Sequence, residues 1–184
     1  MAQDNFSDGE LLIQFRNPIT KEKAFTTLIK KYQEKLYWNI RRMVVNHDDA
    51  NDVLQNLFIR VWNGLDRFKE NSQLYTWLYR ISINECLTFL EQQKKKYTSS
   101  LSDEDSGLSN KVKADEHFDY KKLEWKLQLA MQKLPEKQRI VFNLRYFDEM
   151  PYEEMSRILD TSEGALKASY HHAVKKIEDF MLNH

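Results

Sequence analysis

The sequence predicts an all-α fold of two small helical domains joined by a flexible linker, the second ending in a helix-turn-helix. Three observations predict it. Apolar residues recur at helical spacing through long segments. Four glycines and three prolines in 184 residues are few for a protein of strands and tight turns. The periodicity then stops over residues 97–117, a longer gap than loops inside compact domains normally span. The chain therefore divides into an N-terminal extension with a short helix (1–20), a first domain (21–96), the linker (97–117) and a second domain (118–184).

The first residues are polar and without period, so they are expected to fray. Ser7 or Asp8 can cap a short helix carrying Leu11, Leu12 and Phe15, which must stop before Pro18. From Lys21 a long helix carries Phe25, Leu28, Ile29, Tyr32, Leu36, Ile40, Met43 and Val44 and ends near Asn46. Arg41 and Arg42 in its last turns complement the helix dipole. Asp48 or Asp49 stands where the next helix needs its N-cap. Val53, Leu54, Leu57, Phe58, Val61, Trp62 and Leu65 form that helix's apolar stripe. Opposite it lie Asp52, Gln55, Ile59, Asn63 and Asp66, an acidic face with one apolar residue in its middle. Such a face reads either as a docking surface or as a solvated face with a stray isoleucine.

The polar segment K-E-N-S-Q breaks the pattern, and another helix begins near Leu74. Its buried face is expected to hold Tyr79, Ile83, Cys86, Leu87 and Leu90. Asn84, Thr88, Glu91 and Lys95, with Trp77 and Ile81, line the other side and run into Lys94-Lys95-Lys96. A strip of hydrogen-bonding groups ending in cations suits a nucleic-acid backbone and base edges. Beyond the linker, Leu123, Leu127, Ala130, Met131 and Leu134 share a face, and Pro135 opens a helix carrying Ile140, Val141, Leu144 and Phe147. A helix over roughly Tyr152 to Leu159, a turn at Asp160-Thr161-Ser162 and a helix from Glu163 form the helix-turn-helix. In its second helix Leu166, Tyr170, Ala173 and Ile177 face inward. Gly164, Lys167, Ala168, His171 and Lys175 face out, with His172 at the margin.

Twenty-eight lysines and arginines balance twenty-eight acids, so no global basic field attracts nucleic acid. That excludes a non-specific DNA coater and fits local basic patches or a partner that supplies affinity. The lone Cys86 excludes an internal disulfide and a cysteine-rich zinc site. No run approaches the ~18 apolar residues of a membrane span, and no charged-then-apolar leader opens the chain, so a cytoplasmic protein is expected. There is no glycine-rich phosphate loop, nucleophile elbow or H-E-x-x-H. The paired acids Asp48-Asp49 and Glu153-Glu154 sit at helix starts, where caps and the dipole explain them. The expectation is no enzyme, cofactor, metal or small-molecule substrate. The rival is a free-standing helix-turn-helix regulator, which the last third alone would allow.

The stretches D-A-N-D-V-L-Q-N-L-F and T-W-L-Y-R-I, with A-F-T-T-L-I-K-K-Y-Q-E-K-L-Y before them, resemble the second conserved region of bacterial sigma factors. L-P-E-K-Q-R-I-V-F-N-L-R-Y-F and the helix-turn-helix resemble the fourth. Together they are similar to a sigma factor of the extracytoplasmic-function (ECF) group, with regions two and four only. The resemblance implies a protein that binds core RNA polymerase and directs promoter-specific initiation. It implies that Asp49, Asp52, Gln55 and Ile59 meet the beta-prime clamp. The Lys69 to Gln73 loop with Asn71 and Ser72, then Tyr75, Trp77, Asn84, Thr88, Glu91 and Lys95, would hold the melted minus-10 element. The second domain would dock on the beta flap and read the minus-35 element through Gly164, Lys167, Ala168, His171, His172 and Lys175. It also implies an anti-sigma partner, and for the linker, whose polar composition reads as a solvated tether, the alternative of an acidic segment threaded into the polymerase. Ser169, His172 and Val174 replace arginines common at the recognition helix, and Thr88 and Glu91 depart from the frequent aspartate and arginine. Fewer cations weaken phosphate contacts, so specificity does not carry over at those sites.

Overall fold

The computed structural model describes residues 6–99 and 122–183, all helices and short connections. The expected linker lies mostly outside the described residues. Helix α1 (Asp8–Arg16) starts at a capping box in which Ser7 accepts from the Glu10 amide and Glu10 bonds back to Ser7. Leu11, Leu12 and Phe15 are its buried side. Helix α2 (Lys21–Val44) buries Ala24, Leu28, Tyr32, Leu36, Ile40, Met43 and Val44, close to one residue per turn. It ends at Val45, whose φ of 72° and ψ of −42°, with the Asn46 amide bonded to the Val44 carbonyl, make a γ-turn. A buried β-branched residue in this backbone region is strained, and packing at Val45 holds it there.

Helix α3 (His47–Gly64) is capped by Asn46, which accepts from the amides of Asp48 and Asp49. The two aspartates are first-turn residues favoured by the dipole rather than the cap itself. A 3₁₀ turn (Leu65–Arg67) leads through the polar loop to helix α4 (Leu74–Ser99), which runs past the expected boundary at Lys96. Phe15, Phe25, Phe58 and Trp62 pack edge to face between α1, α2 and α3.

The second lobe contains α5 (Lys122–Gln132), α6 (Glu136–Phe142), a π-helical turn (Asn143–Phe147), α7 (Tyr152–Leu159) and α8 (Glu163–Asn183). Pro135 stands at the N-cap of α6 rather than inside it. Leu123 departs from its expected inward face and is 68% exposed, because α5 buries Gln128, Ala130 and Met131 instead. Asp160 adopts the left-handed conformation (φ 50°) that ends α7, which aspartate tolerates better than most residues. Both helices of the helix-turn-helix lie where the sequence places them.

The lobes are not separate beads. Ile140, Val141, Leu144, Met150, Met155, Ile158 and Leu166 join the apolar cluster of the first lobe. A smaller cluster of Ala130, Met131, Leu134, Phe142, Ala173 and Ile177 belongs to the second lobe alone. Ile59 is exposed and lies outside this cluster. Helix α7 packs on α4 and the π-turn on α2. Arg41 and Arg42 are not simple dipole complements either: Arg41 is buried, and Arg42 reaches the second lobe.

Candidate nucleic-acid and polymerase interfaces

Helix α3 turns its stripe of Val53, Leu57, Phe58 and Val61 into the core, which leaves Asp52, Gln55 and Ile59 outside. Ile59 is 53% exposed, an apolar side chain held in solvent. Beside it Phe25, Ile29, Gln55, Phe58 and Trp62 line a groove of about 380 Å³. Asp49 differs from its neighbours: it is half-buried and accepts from Gln93 Nε2 of α4 at 3.1 Å. Three of the four expected docking residues therefore form an open patch, and the fourth braces α3 against α4.

The loop before α4 is held from outside its own domain core. Arg16 Nη2 of α1 donates to the Phe68 carbonyl at 3.2 Å and pairs with Glu70 at 2.8 Å, where Glu70 has φ 56°. Nothing in the sequence separation of fifty-two residues announces that contact. Asn71 is exposed and Ser72 half-buried. Trp77 is half-buried, its ring 5.2 Å from that of Phe68, and Gly64 lies beneath it. A Cβ at Gly64 would stand 3.2 Å from Trp77 Cζ2, so the glycine makes room for the indole. Tyr75 is half-buried with its ring 4.5 Å from Tyr79. Burial pushes the Tyr75 phenol up to about 12, helped by the negative charges of Asp148 and Glu154.

Further along α4, Asn84, Thr88, Glu91 and Lys95 are all exposed. The Thr88 hydroxyl donates to the Asn84 carbonyl at 2.9 Å, leaving its lone pairs outward. Adjoining the strip is a polar cleft of about 280 Å³ bordered by Asn56, Ile59, Arg60, Glu85, Thr88 and Gln92, among others. Arg60 and the buried Glu85 form an ion pair there. The cleft joins the docking patch on α3 to the polar strip on α4. Sequence reasoning missed Arg60 and Glu85 because they meet only when the two helices pack.

In α8 the expected outward set of Gly164, Lys167, Ala168, His171, His172 and Lys175 is exposed throughout. Leu166, Ala173 and Ile177 are buried beneath it, and Tyr170 stacks on Phe142 at 5.9 Å. Ser162 starts the helix, accepting from the Ala165 amide through its hydroxyl and from the Leu166 amide through its carbonyl. Lys167 lies 3.5 Å from Glu163 and 5.5 Å from the Tyr152 ring centre, so its stem is steered while its charge stays wet. Lys176 is tied to Gln138 of α6 at 3.0 Å and stands apart from the reading face. Among the described residues no cluster of three or more histidines, cysteines or acids can hold a metal ion. No described helix is long and apolar enough to cross a membrane.

Two family models match the chain: "Sigma-70 region 2" over residues 28–96 and "Sigma-70, region 4" over residues 124–177. The ECF RNA polymerase sigma-E factor of Escherichia coli (strain K12) is 31% identical over 166 residues, 86% of each chain. The ECF RNA polymerase sigma factor SigW of Bacillus subtilis (strain 168) is 30% identical over 158 residues, covering 82% of this chain and 84% of that one. Two solved structures share the fold. The sigma factor RpoE of Bartonella quintana, in complex with the anti-sigma factor NepR, has a TM-score of 0.70 at 20% identity, covering 88% of this chain and 98% of its own. CnrH, in complex with the cytosolic domain of CnrY, has a TM-score of 0.68 at 20% identity, covering 95% and 96%. A non-enzymatic helical chain with both regions in order, matched over most of its length, belongs to the ECF sigma factors of the sigma-70 family, which direct RNA polymerase to promoters.

Proposed function

We propose that the chain divides this task among three surfaces. Asp52, Gln55 and Ile59, with Asp49 bracing them, dock the first lobe on the beta-prime clamp of core polymerase. An exposed isoleucine ringed by polar groups over an apolar groove is the anchor-and-rim composition of a protein interface. The Asn71–Ser72 loop, Tyr75 and Trp77, with Asn84, Thr88, Glu91 and Lys95, capture the unstacked minus-10 strand. Tyr75 and Trp77 offer aromatic faces, and the strip offers donors and acceptors. Gly164, Lys167, Ala168, His171, His172 and Lys175 read the minus-35 duplex in the major groove while the second lobe rests on the beta flap.

The carrying observation is that every outward residue expected on α8 is exposed above an intact buried face. Solved relatives of this fold are held by NepR and CnrY, so an anti-sigma protein is the regulatory partner we assign. Reconstitution tests the reading. The purified chain with core polymerase should initiate at specific promoters. Lys167→Ala with Lys175→Ala should cut transcription about tenfold or more at promoters that need a minus-35 element, through lost phosphate contacts. Equal loss on templates lacking that element would overturn the assignment of α8.

A further inference from the structure

The minus-10 capture loop is held at both ends, and one of its holders precedes the stretch matched to region 2. That match begins at residue 28, whereas α1 ends at Arg16. Arg16 donates from Nη2 to the Phe68 carbonyl at 3.2 Å and pairs with Glu70 at 2.8 Å. A second tie runs from Lys21 Nζ to Asp66 at 2.5 Å, in the 3₁₀ turn that leads into the loop. Trp77 fixes the exit. Its amide donates to the Gln73 carbonyl at 3.2 Å, and its ring lies 5.2 Å from that of Phe68. Asn71 and Ser72 stand between these fixed points.

The arm that carries Arg16 is itself rigid. Phe15 is buried with its ring edge-on to Trp62 at 5.3 Å, and Lys21 Nζ lies 4.6 Å from the Phe15 ring centre. The turn after α1 is closed by Thr20 Oγ1, which donates to the Gln14 carbonyl at 2.7 Å, and by the Ile19 amide, which donates to Asn17 Oδ1 at 3.0 Å. The loop, by contrast, contains a residue that resists its own conformation. Glu70 has φ 56°, a region that glycine and asparagine enter readily and glutamate does not. Such a backbone persists where its surroundings hold it. An ion pair between side chains that are 44% and 50% exposed adds little strength by itself. What Arg16 adds is direction, because one guanidinium grips the Phe68 carbonyl and the Glu70 carboxylate on either side of Lys69.

We propose that α1, acting through Arg16, sets the base preference of the minus-10 capture loop. Arg16 is a positioning residue: it holds the turn at Glu70 and so fixes where Asn71 and Ser72 present their hydrogen-bonding groups. The proposal rests on the reading of that loop above. Hydrogen bonds weaken steeply with angle, so a donor or acceptor selects one base edge only while its backbone is fixed. Without Arg16 the two side chains sample several orientations and accept more than one base. Glu70 also loses the cation beside it, and its charge then opposes the phosphate backbone on every template.

Transcription by core polymerase with the full chain tests this on templates carrying each of the four bases at each minus-10 position. The unmodified chain should prefer one base at the position the loop holds. Arg16→Ala removes a partly exposed side chain and no core packing, and should cut that preference about threefold to tenfold. Preferences at the other positions and at minus 35 should stay unchanged. Asparagine adopts positive φ and carries no charge, so adding Glu70→Asn to Arg16→Ala should return the preference to within about twofold. Lys31→Ala is the control. It cuts the ties at the other end of α1, from Lys31 Nζ to Asp8 at 2.8 Å and to the Phe6 carbonyl at 3.1 Å, and should change no preference. Native preference in Arg16→Ala, no recovery in the double variant, or an equal loss in Lys31→Ala overturns the proposal and leaves the loop reading standing. So does a loss of preference spread evenly over all positions. Absence of any minus-10 base preference in the unmodified chain sinks the loop reading itself.

Discussion

Asp49 and Asp52 are three residues apart on one helix, yet Asp52 is exposed whereas Asp49 is half-buried and accepts from Gln93. Asp52→Lys should weaken core polymerase binding about tenfold while circular dichroism stays unchanged, because a reversed charge in an interface costs attraction but no core packing. Native affinity in a folded variant would remove α3 from the docking surface. Arg16 tests the loop in the same way. Its hydrogen bond and ion pair order the Phe68–Glu70 backbone, so Arg16→Ala should slow promoter opening about threefold to tenfold and leave core affinity alone. Equal opening rates would mean that the loop keeps its shape unaided. Cys86 is fully buried and its thiol is pushed up to about 12. For a group raised in the folded state, the stabilisation is complete below the unfolded thiol's ordinary pKa, ~8.5, and is lost as pH rises towards the folded value. The native thiol should therefore resist disulfide reagents at pH 8 and react at once in denaturant. Fast native labelling would contradict its placement.

At the scale of elements, helix bounds were legible wherever a local signal sets them. Ser7 caps α1, Pro151 precedes α7, and Asp160 ends it at a left-handed turn, all within a few residues of chain. Signals that needed the third dimension were misread. Asn46 took the capping position offered to Asp48 or Asp49 because the γ-turn at Val45 sets the entry two or three residues earlier. Leu123 matched a helical stripe by spacing but found no neighbour among the described residues to cover it. Ile140, Val141 and Leu144 read as an ordinary core face; periodicity shows that a face is buried and never against what. The polar residues of the junction, Asn39, Arg42, Asn143 and Asp148, carried no pattern at all. Of the candidate sites, the outward set on α8 and the strip on α4 followed directly from helical phase, whereas Arg16, Arg60 and Glu85 appeared only on packing. The Gly64–Trp77 contact belongs here too. Gly64→Leu should displace the indole, shift tryptophan emission and cost about 1–3 kcal/mol by overpacking. Unchanged emission and stability would show that Trp77 has room to spare.

At the scale of the whole molecule, the sequence carries no net charge, and cations facing outward on α8 are few. Counterion release can contribute little, so the free chain should bind duplex promoter DNA weakly at ~150 mM salt. Specific recognition then requires polymerase to supply affinity. The most direct measurement is promoter-specific transcription by core polymerase with this chain, run beside a binding assay of the chain alone on the same DNA. The account predicts defined start sites with polymerase present, lost on Asp52→Lys, and only weak, salt-sensitive duplex binding without it. Tight sequence-specific binding by the chain alone, with no polymerase-dependent initiation, would contradict it.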